Sequence, residues 1–239
     1  MTPLIVIPAR LNSTRLPGKA LADIHGQPVI VHVMRQATKA DVGPVVVATD
    51  TREIAAAVEQ AGGRAVQTLE KHQSGSDRSW QAATIVDPQE RHDVIVNVQG
   101  DQPALDPDSV RSALAALADP AADIGTLAIA IESDAQRTDS NVVKLIGTSI
   151  GPNRLRALYF TRATAPWGDG ELLRHVGIYA YRRAALERFV GLAPSPLEQR
   201  ERLEQLRALE AGMRIDAVVV SNAASSVDTP ADLELARKR

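Results

Sequence analysis

Residues Leu4 to Leu21 read LIVIPARLNSTRLPGKAL, a short apolar run that breaks into a loop carrying every cation of the first 21 residues. Leu4 to Ile7 is a continuous branched run closed by Pro8, the pattern of a strand covered on both faces at the centre of a sheet. Loops that leave the C-terminal ends of such strands are where open α/β sheets bind ligands. This loop presents Arg10, Arg15 and Lys19, a turn at Pro17 and Gly18, and the hydroxyls of Ser13 and Thr14, with no acid before Asp23. In a chain of 29 acidic and 27 basic residues, that bias points to a local polyanion site; the cations alone suit a solvated basic loop equally well. Two common phosphate loops are excluded by spacing. A Walker loop needs Gly and Ser/Thr where Ser13 and Ala20 stand, and no G-x-G-x-x-G follows the first strand.

Outward from this stretch, 239 residues with 44% hydrophobic content suffice for one large α/β domain with a sizeable core. A net charge of -2 argues against general nucleic-acid binding, so no nucleic-acid partner is expected. The absence of Cys removes disulfide, thiolate and Cys-zinc chemistry. The four-residue apolar run between Pro3 and Pro8 is too short for a signal peptide, and no segment approaches the ~18 apolar residues of a membrane span. The reading is cytoplasmic, with no membrane partner.

Strand and helix patterns alternate along the chain, which predicts a parallel sheet. Val29, Ile30, Val33, Met34 and Ala37 recur at helical spacing, with His32 a structural or surface residue on that helix. Val45–Thr49 reads as a strand, followed by a helix capped at Asp50 or Thr51 and ended by Gly62 and Gly63. TLEKHQSGSDR, from Thr68 to Arg78, is a polar loop before a helix. Asp93–Val98 is a buried strand running into Gln99, Gly100, Asp101, Gln102 and Pro103, and the next helix starts at Asp106 and Pro107. Strands are expected over 124–131, 142–146, 155–160, 174–181 and 215–220. Lys144 is read as facing solvent or a cleft. A helix is expected from Pro196 to about Glu210, its charges mostly a solvated face, and Pro230 starts the last helix.

Among these elements, Asp101 lies just past a buried strand, where a carboxylate can hold a hard cation against phosphate or cap a turn. Arg162, His175 and Tyr179 would suit an acidic polyhydroxylated ligand; taken singly, each also reads as a surface or packing residue. Asp228, read by itself, is a helix cap.

The segments I-P-A-R and S-T-R-L-P-G-K, His72 to Arg78, Q-G-D at 99–101, Y-F-T-R-A at 159–163, R-H-V-G-I-Y at 174–179, L-E-Q-L-R at 203–207 and V-D-T-P at 227–230 together resemble a known pattern. It is that of the sugar nucleotidyltransferases and, within them, the CMP-Kdo synthetases (3-deoxy-manno-octulosonate, or Kdo, cytidylyltransferases). The resemblance covers nearly the whole chain. It implies a three-layer α/β/α sandwich with a mainly parallel mixed sheet, a single domain over 1–239, and a homodimer with a dimerisation arm and sugar-binding region at about 155–182. The implied reaction transfers the cytidylyl group of CTP to the anomeric hydroxyl of Kdo, giving CMP-Kdo and pyrophosphate for lipopolysaccharide biosynthesis. The implied CTP contacts are Pro8, Ala9, Arg10, Arg15, Lys19, Gln73, Ser74, Gly75 and Gln99, with Asp77 and Arg78 pairing to orient their loop. Arg162, His175, Tyr179, Glu204 and Gln205 would bind the sugar, and Asp101 and Asp228 would hold Mg²⁺. Arg10, Lys19, Asp101 and Asp228 are the implied catalytic set, and no general base is assigned to His72 or His175. Gln102 stands where the family pattern has an acid, which leaves Asp101 in place. The alternatives are a cytidylyltransferase for another acidic sugar, such as 8-amino-Kdo or a sialic acid, and a catalytically silent nucleotide-binding module. The connector between Trp167 and Arg174 is short and contains Gly, so the lid or dimer-arm geometry there is expected to differ from that of longer relatives.

Overall fold

The computed structural model describes residues 1–11, 16–72 and 74–238. In chain order the elements begin with strand β1 (Pro3–Ala9), a short hairpin of β2 (Asp23–Ile24) and β3 (Gln27–Pro28), helix α1 (Val29–Lys39), β4 (Val45–Thr49), α2 (Arg52–Gln60), β5 (Ala65–Gln67), α3 (Gly75–Val86), β6 (Val94–Asn97) and α4 (Pro107–Ala115). They continue with β7 (Ile124–Ala130), α5 (Asp134–Thr138), β8 (Lys144–Gly151), β9 (Arg154–Thr161), β10 (Leu173–Arg182), α6 (Arg183–Val190), α7 (Pro196–Glu201), α8 (Gln205–Glu210), β11 (Ile215–Val219) and α9 (Pro230–Arg237). The chain forms two compact units, one of residues 1–111 with 224–239, the other of residues 112–223. Among the described residues no helix is long and apolar enough to cross a membrane.

In the first unit the strands run β5-β4-β1-β6, every pair parallel. β1 is central because both of its edges are paired and both faces covered: Ile5, Val6 and Ile7 have no exposed surface. Branched side chains tolerate that position well, since they fill both faces of the pleat without losing much rotamer freedom. α1 begins directly after Pro28 and buries Val29, Ile30, Val33, Met34 and Ala37, the predicted stripe. Thr51 stands at the start of α2 without a side-chain capping bond. α9 opens on a capping box in which Thr229 and Asp232 satisfy each other's backbone N–H groups.

The second unit is a mixed sheet. β7 pairs antiparallel with β10 and parallel with β11, β9 pairs antiparallel with β11 and β8, and β8 also meets β10. Two expectations are corrected here. The single helix expected from Pro196 to Glu210 is two helices, because Arg202 takes a left-handed conformation (φ 56°) that ends α7. Its charge is only partly a solvated face: Arg200, Arg202 and Glu210 are exposed, whereas Arg207 is buried and clasps Glu198 through two bonds of 2.8 and 2.5 Å. Lys144 faces neither solvent nor a cleft. It is fully buried and its ammonium donates to the carbonyl of Asp139 at 2.7 Å; burial lowers its pKa, with the Asp139 charge acting in the opposite direction.

Candidate functional site

In the first unit β1 and β6 run parallel, so the chain leaves both at the same edge of the sheet. Pro8 and Ala9 end β1 and the exposed Arg10 follows; Gln99, Gly100 and Asp101 follow β6. The two exits touch backbone to backbone. A Cβ on Gly100 would sit 2.9 Å from the Pro8 carbonyl oxygen, so only glycine allows this approach. At the same edge α3 begins, where Ser74 caps the helix by accepting the Asp77 N–H at 3.1 Å and Gly75 lies against Pro8. Arg15 and Gln73 fall outside the described residues, as do Ser13 and Thr14.

Lys19 is the focus of this edge. Gly18 takes a left-handed φ of 70° that suits glycine, and a 3₁₀ turn over Lys19–Leu21 follows. The Lys19 Nζ donates to Asp101 Oδ2 at 2.7 Å and to Asp228 Oδ1 at 3.0 Å. Burial pulls the Lys19 pKa down, but the charge and hydrogen bond of Asp101, joined by those of Asp228, outweigh it; the net shift is upward and the ammonium form is held. The two carboxylates come from loops distant in sequence that are fastened to each other by the Val227 N–H bond to the Asp101 carbonyl at 2.8 Å. Asp228 is further fixed by Ser226, whose hydroxyl donates to Oδ2 at 3.0 Å, and by Asp232, which accepts its backbone N–H at 3.1 Å.

Asp228 is therefore not the cap of the last helix; Thr229 is, and the carboxylate of Asp228 is left for Lys19. Ser226 and Asp232 are supports that sequence reading missed, although Thr229-x-x-Asp232 carries the capping-box spacing that would have found one of them. The expected Asp77–Arg78 pair does not form. Asp77 accepts from Ser74, whereas the buried Arg78 bonds Asp50 at 2.7 Å and Thr68 at 2.6 Å, tying the start of α3 to the end of β4.

In the second unit β10 carries His175 and Tyr179 on one face, their ring centroids 5.3 Å apart, with Phe160 edge-on to His175 at 5.0 Å. Both lie deep yet keep part of their surface open. Burial, then the neighbouring Arg174 charge, holds the His175 pKa down to about 3, so the ring is neutral, and its Nε2 meets the Thr126 hydroxyl at 3.0 Å. Burial likewise raises the Tyr179 pKa, with Tyr181 and Glu204 adding to the effect. Glu204 precedes α8, and the buried Gln205 follows it at the start of that helix. Arg162 stands differently. Its Nε, Nη1 and Nη2 donate to the carbonyls of Glu201, Ser140 and Arg202 at 2.8, 2.9 and 3.5 Å, leaving the rest of the fork for an anion.

Among the described residues no group of three or more His, Cys, Asp or Glu side chains is gathered as a metal set. The donor chemistry at Lys19 still fits a hard cation. Two carboxylate oxygens converge on one point, and Mg²⁺ is characteristically held by one or two carboxylates, its remaining positions filled by waters and substrate phosphates.

A family model described as Cytidylyltransferase matches residues 4–215. A protein of Methylobacterium nodulans named 3-deoxy-manno-octulosonate cytidylyltransferase is 63% identical over 235 residues, covering 98% of this chain and 95% of its own. A solved structure of a CMP:2-keto-3-deoxy-manno-octonic acid synthetase complexed with CTP superposes with a TM-score of 0.91 at 40% identity, covering 100% of this chain and 98% of that one. A nucleotidyl transferase from Methanothermobacter thermautotroptrophicus, 17% identical over 99% of this chain and 96% of its own, shares the fold with a TM-score of 0.63. The expected α/β class, a mixed and mostly parallel sheet flanked by helices, is that of these neighbours. With the family model spanning residues of both units and relatives this similar over nearly the full length, the chain belongs to the cytidylyltransferase family, among the 3-deoxy-manno-octulosonate cytidylyltransferases.

Proposed function

We propose that the chain transfers the cytidylyl group of CTP to the anomeric hydroxyl of Kdo, giving CMP-Kdo and pyrophosphate and so activating the sugar for lipopolysaccharide assembly. The observation that carries the mechanism is the convergence of Lys19, Asp101 and Asp228 at the edge where β1 and β6 end. The anomeric oxygen attacks the α-phosphorus in line, its bond to phosphorus forming as the bond to the pyrophosphate oxygen breaks, and no side-chain nucleophile is required. Arg10, Arg15 and Lys19 offset the charge of the triphosphate and of the departing pyrophosphate. Pro8, Ala9, Gln73, Ser74, Gly75 and Gln99 line the nucleotide. Asp101 and Asp228 would hold Mg²⁺, which when bound neutralises phosphate charge and acidifies an attached hydroxyl. Neutral His175, Tyr179, Glu204 and Gln205 bond sugar hydroxyls, and Arg162 offers its remaining donors to the sugar carboxylate.

The two units act as a single domain over 1–239 in this reading, in the cytoplasm. A homodimer through the 155–182 region is supported by Leu158 and Trp167, which are 55% and 100% exposed; light scattering of the purified chain tests it. Catalysis is tested by pyrophosphate release from CTP and Mg²⁺ with Kdo, 8-amino-Kdo, a sialic acid or no sugar. Release with Kdo alone is expected; release only with another acid would change the acceptor, and none with any would remove the activity.

A further inference from the structure

The loops that carry Asp101 and Asp228 are joined by a bond that does not involve Lys19, and the Asp228 carboxylate has a support of its own in Ser226. Val227 N–H to the Asp101 carbonyl joins their loops, and Ser226 and Asp232 fix Asp228. The joined loops bring the two carboxylates to one place, where the Lys19 ammonium bonds both, at 2.7 and 3.0 Å. A divalent cation bound by the same oxygens would lie about 2.0–2.1 Å from each, so the ammonium and the metal cannot share the position. The charges make the same point. One ammonium leaves the pair with a residual negative charge, whereas a dication neutralises it and releases Lys19 as a surplus cation.

We infer that Lys19 is a resident stand-in for the metal, and that nucleotide binding exchanges it: the ammonium leaves for the triphosphate as a divalent cation takes its place between Asp101 and Asp228. This rests on the metal and phosphate roles proposed above. Lys19 suits the exchange because a flexible four-carbon stem carries its charge from a turn whose backbone is pinned by the Leu21 N–H to Gly18 carbonyl bond at 2.9 Å. Without a triphosphate the displaced ammonium would be stranded beside a dication in a half-buried site, so metal binding is disfavoured. With one, both cations find partners. Nucleotide and metal thus bind with positive coupling that runs through a single side chain, and the coupling is reciprocal.

Mn²⁺ binding to the full chain without nucleotide, followed by calorimetry and by the electron paramagnetic resonance of free Mn²⁺, tests the exchange. Wild type should bind weakly, and Lys19→Met and Lys19→Gln about tenfold tighter or more, because the fraction of molecules with open carboxylates rises toward one. Arg10→Met, which removes an equal charge from the same edge without vacating the pair, should gain less than about threefold. Equal gains in the Arg10 and Lys19 variants, or no gain in the latter, would overturn the exchange. Adding Asp101→Asn to Lys19→Gln should erase the gain; a gain that survives would place the ion elsewhere and overturn the metal assignment as well. If the Lys19 variants show no gain while Asp101→Asn abolishes Mn²⁺ binding in the CTP complex, the metal reading stands and the exchange falls. Should Lys19→Met fold poorly, the Mn²⁺-dependent rise in melting temperature of Lys19→Gln decides: a larger rise than in wild type supports the exchange, and an equal or smaller one refutes it.

Discussion

Arg162 and Glu201 clasp each other twice: the Nε–H of Arg162 donates to the Glu201 carbonyl at 2.8 Å, and the Glu201 carboxylate accepts the Arg162 backbone N–H at 2.9 Å. The same carboxylate accepts the Thr161 hydroxyl at 2.7 Å. The end of β9 is thereby fastened to α7, which makes Arg162 a structural brace. Arg162→Ala should cost about 1–3 kcal/mol in urea unfolding, as expected when bonds from a charged donor are lost. It should also raise the Michaelis constant for the sugar more than that for CTP. Arg162→Lys should recover the charge but not the stability, since an ammonium cannot serve three carbonyls from a planar fork. An unaltered unfolding midpoint in Arg162→Ala would show that the side-chain half of the clasp carries no weight.

At Asp101 the expectation is chemical. Asp101→Asn preserves shape and removes a charge, so turnover should fall by about a hundredfold or more, in the range seen when a transition-state electrostatic contact is lost. The partly exposed ion pair with Lys19 should cost within about 1 kcal/mol of stability. A variant with normal Mg²⁺-dependent turnover would remove Asp101 from the mechanism.

Buried His175, with Arg174 adjacent, has a pKa of about 3 in the fold against about 6.5 in an unfolded chain. Below 6.5 the unfolded chain takes up a proton that the native ring refuses. Stability from this group is therefore fully present above pH 6.5 and lost as pH falls from there toward 3, by at most about 1.4 kcal/mol per pH unit. Unfolding free energies between pH 7 and 4 should fall more steeply for wild type than for His175→Gln. Parallel curves would mean that the ring titrates normally.

Gly100 has no room to grow. Gly100→Ala would force a Cβ to within 2.9 Å of the Pro8 carbonyl oxygen, and because the obstacle is backbone, the two loop exits must separate. A loss of about 1–3 kcal/mol is expected, the cost typical of overpacking, with weaker CTP binding by calorimetry. Retention of both would show that the exits move apart without consequence for the nucleotide.

The legible parts of this fold were those governed by local pattern. The branched run Leu4–Ile7, the stripe from Val29 to Ala37 and the Pro230 helix start all follow from burial period and backbone chemistry, and all stand where expected. What escaped depends on partners that pattern does not reveal. Leu203, Leu206 and Leu209 keep helical spacing, yet Arg202 breaks the helix just before them, and nothing in the hydrophobic period marks a residue about to turn left-handed. Arg78 was paired with its neighbour Asp77, whereas the structure gives it Asp50, a partner 28 residues away. A Lys144 set between apolar residues of a strand reads as facing solvent or a cleft; a backbone carbonyl at Asp139, invisible in composition, lets the ammonium stay inside. At the candidate site motif singles out Asp101 and Asp228 one by one, but their union through Lys19, and the scaffolding by Ser226 and Asp232, are visible only in three dimensions.

The first unit is closed by residues from the far end of the chain, with Val227 and Asp228 seated against Asp101. Lys19 and Asp228 stand 209 residues apart in sequence, so no local stretch of chain can form the acidic pair around the ammonium. Formation of the pair therefore reports on tertiary folding, because it appears only once the 224–239 segment has docked on the exit of β6.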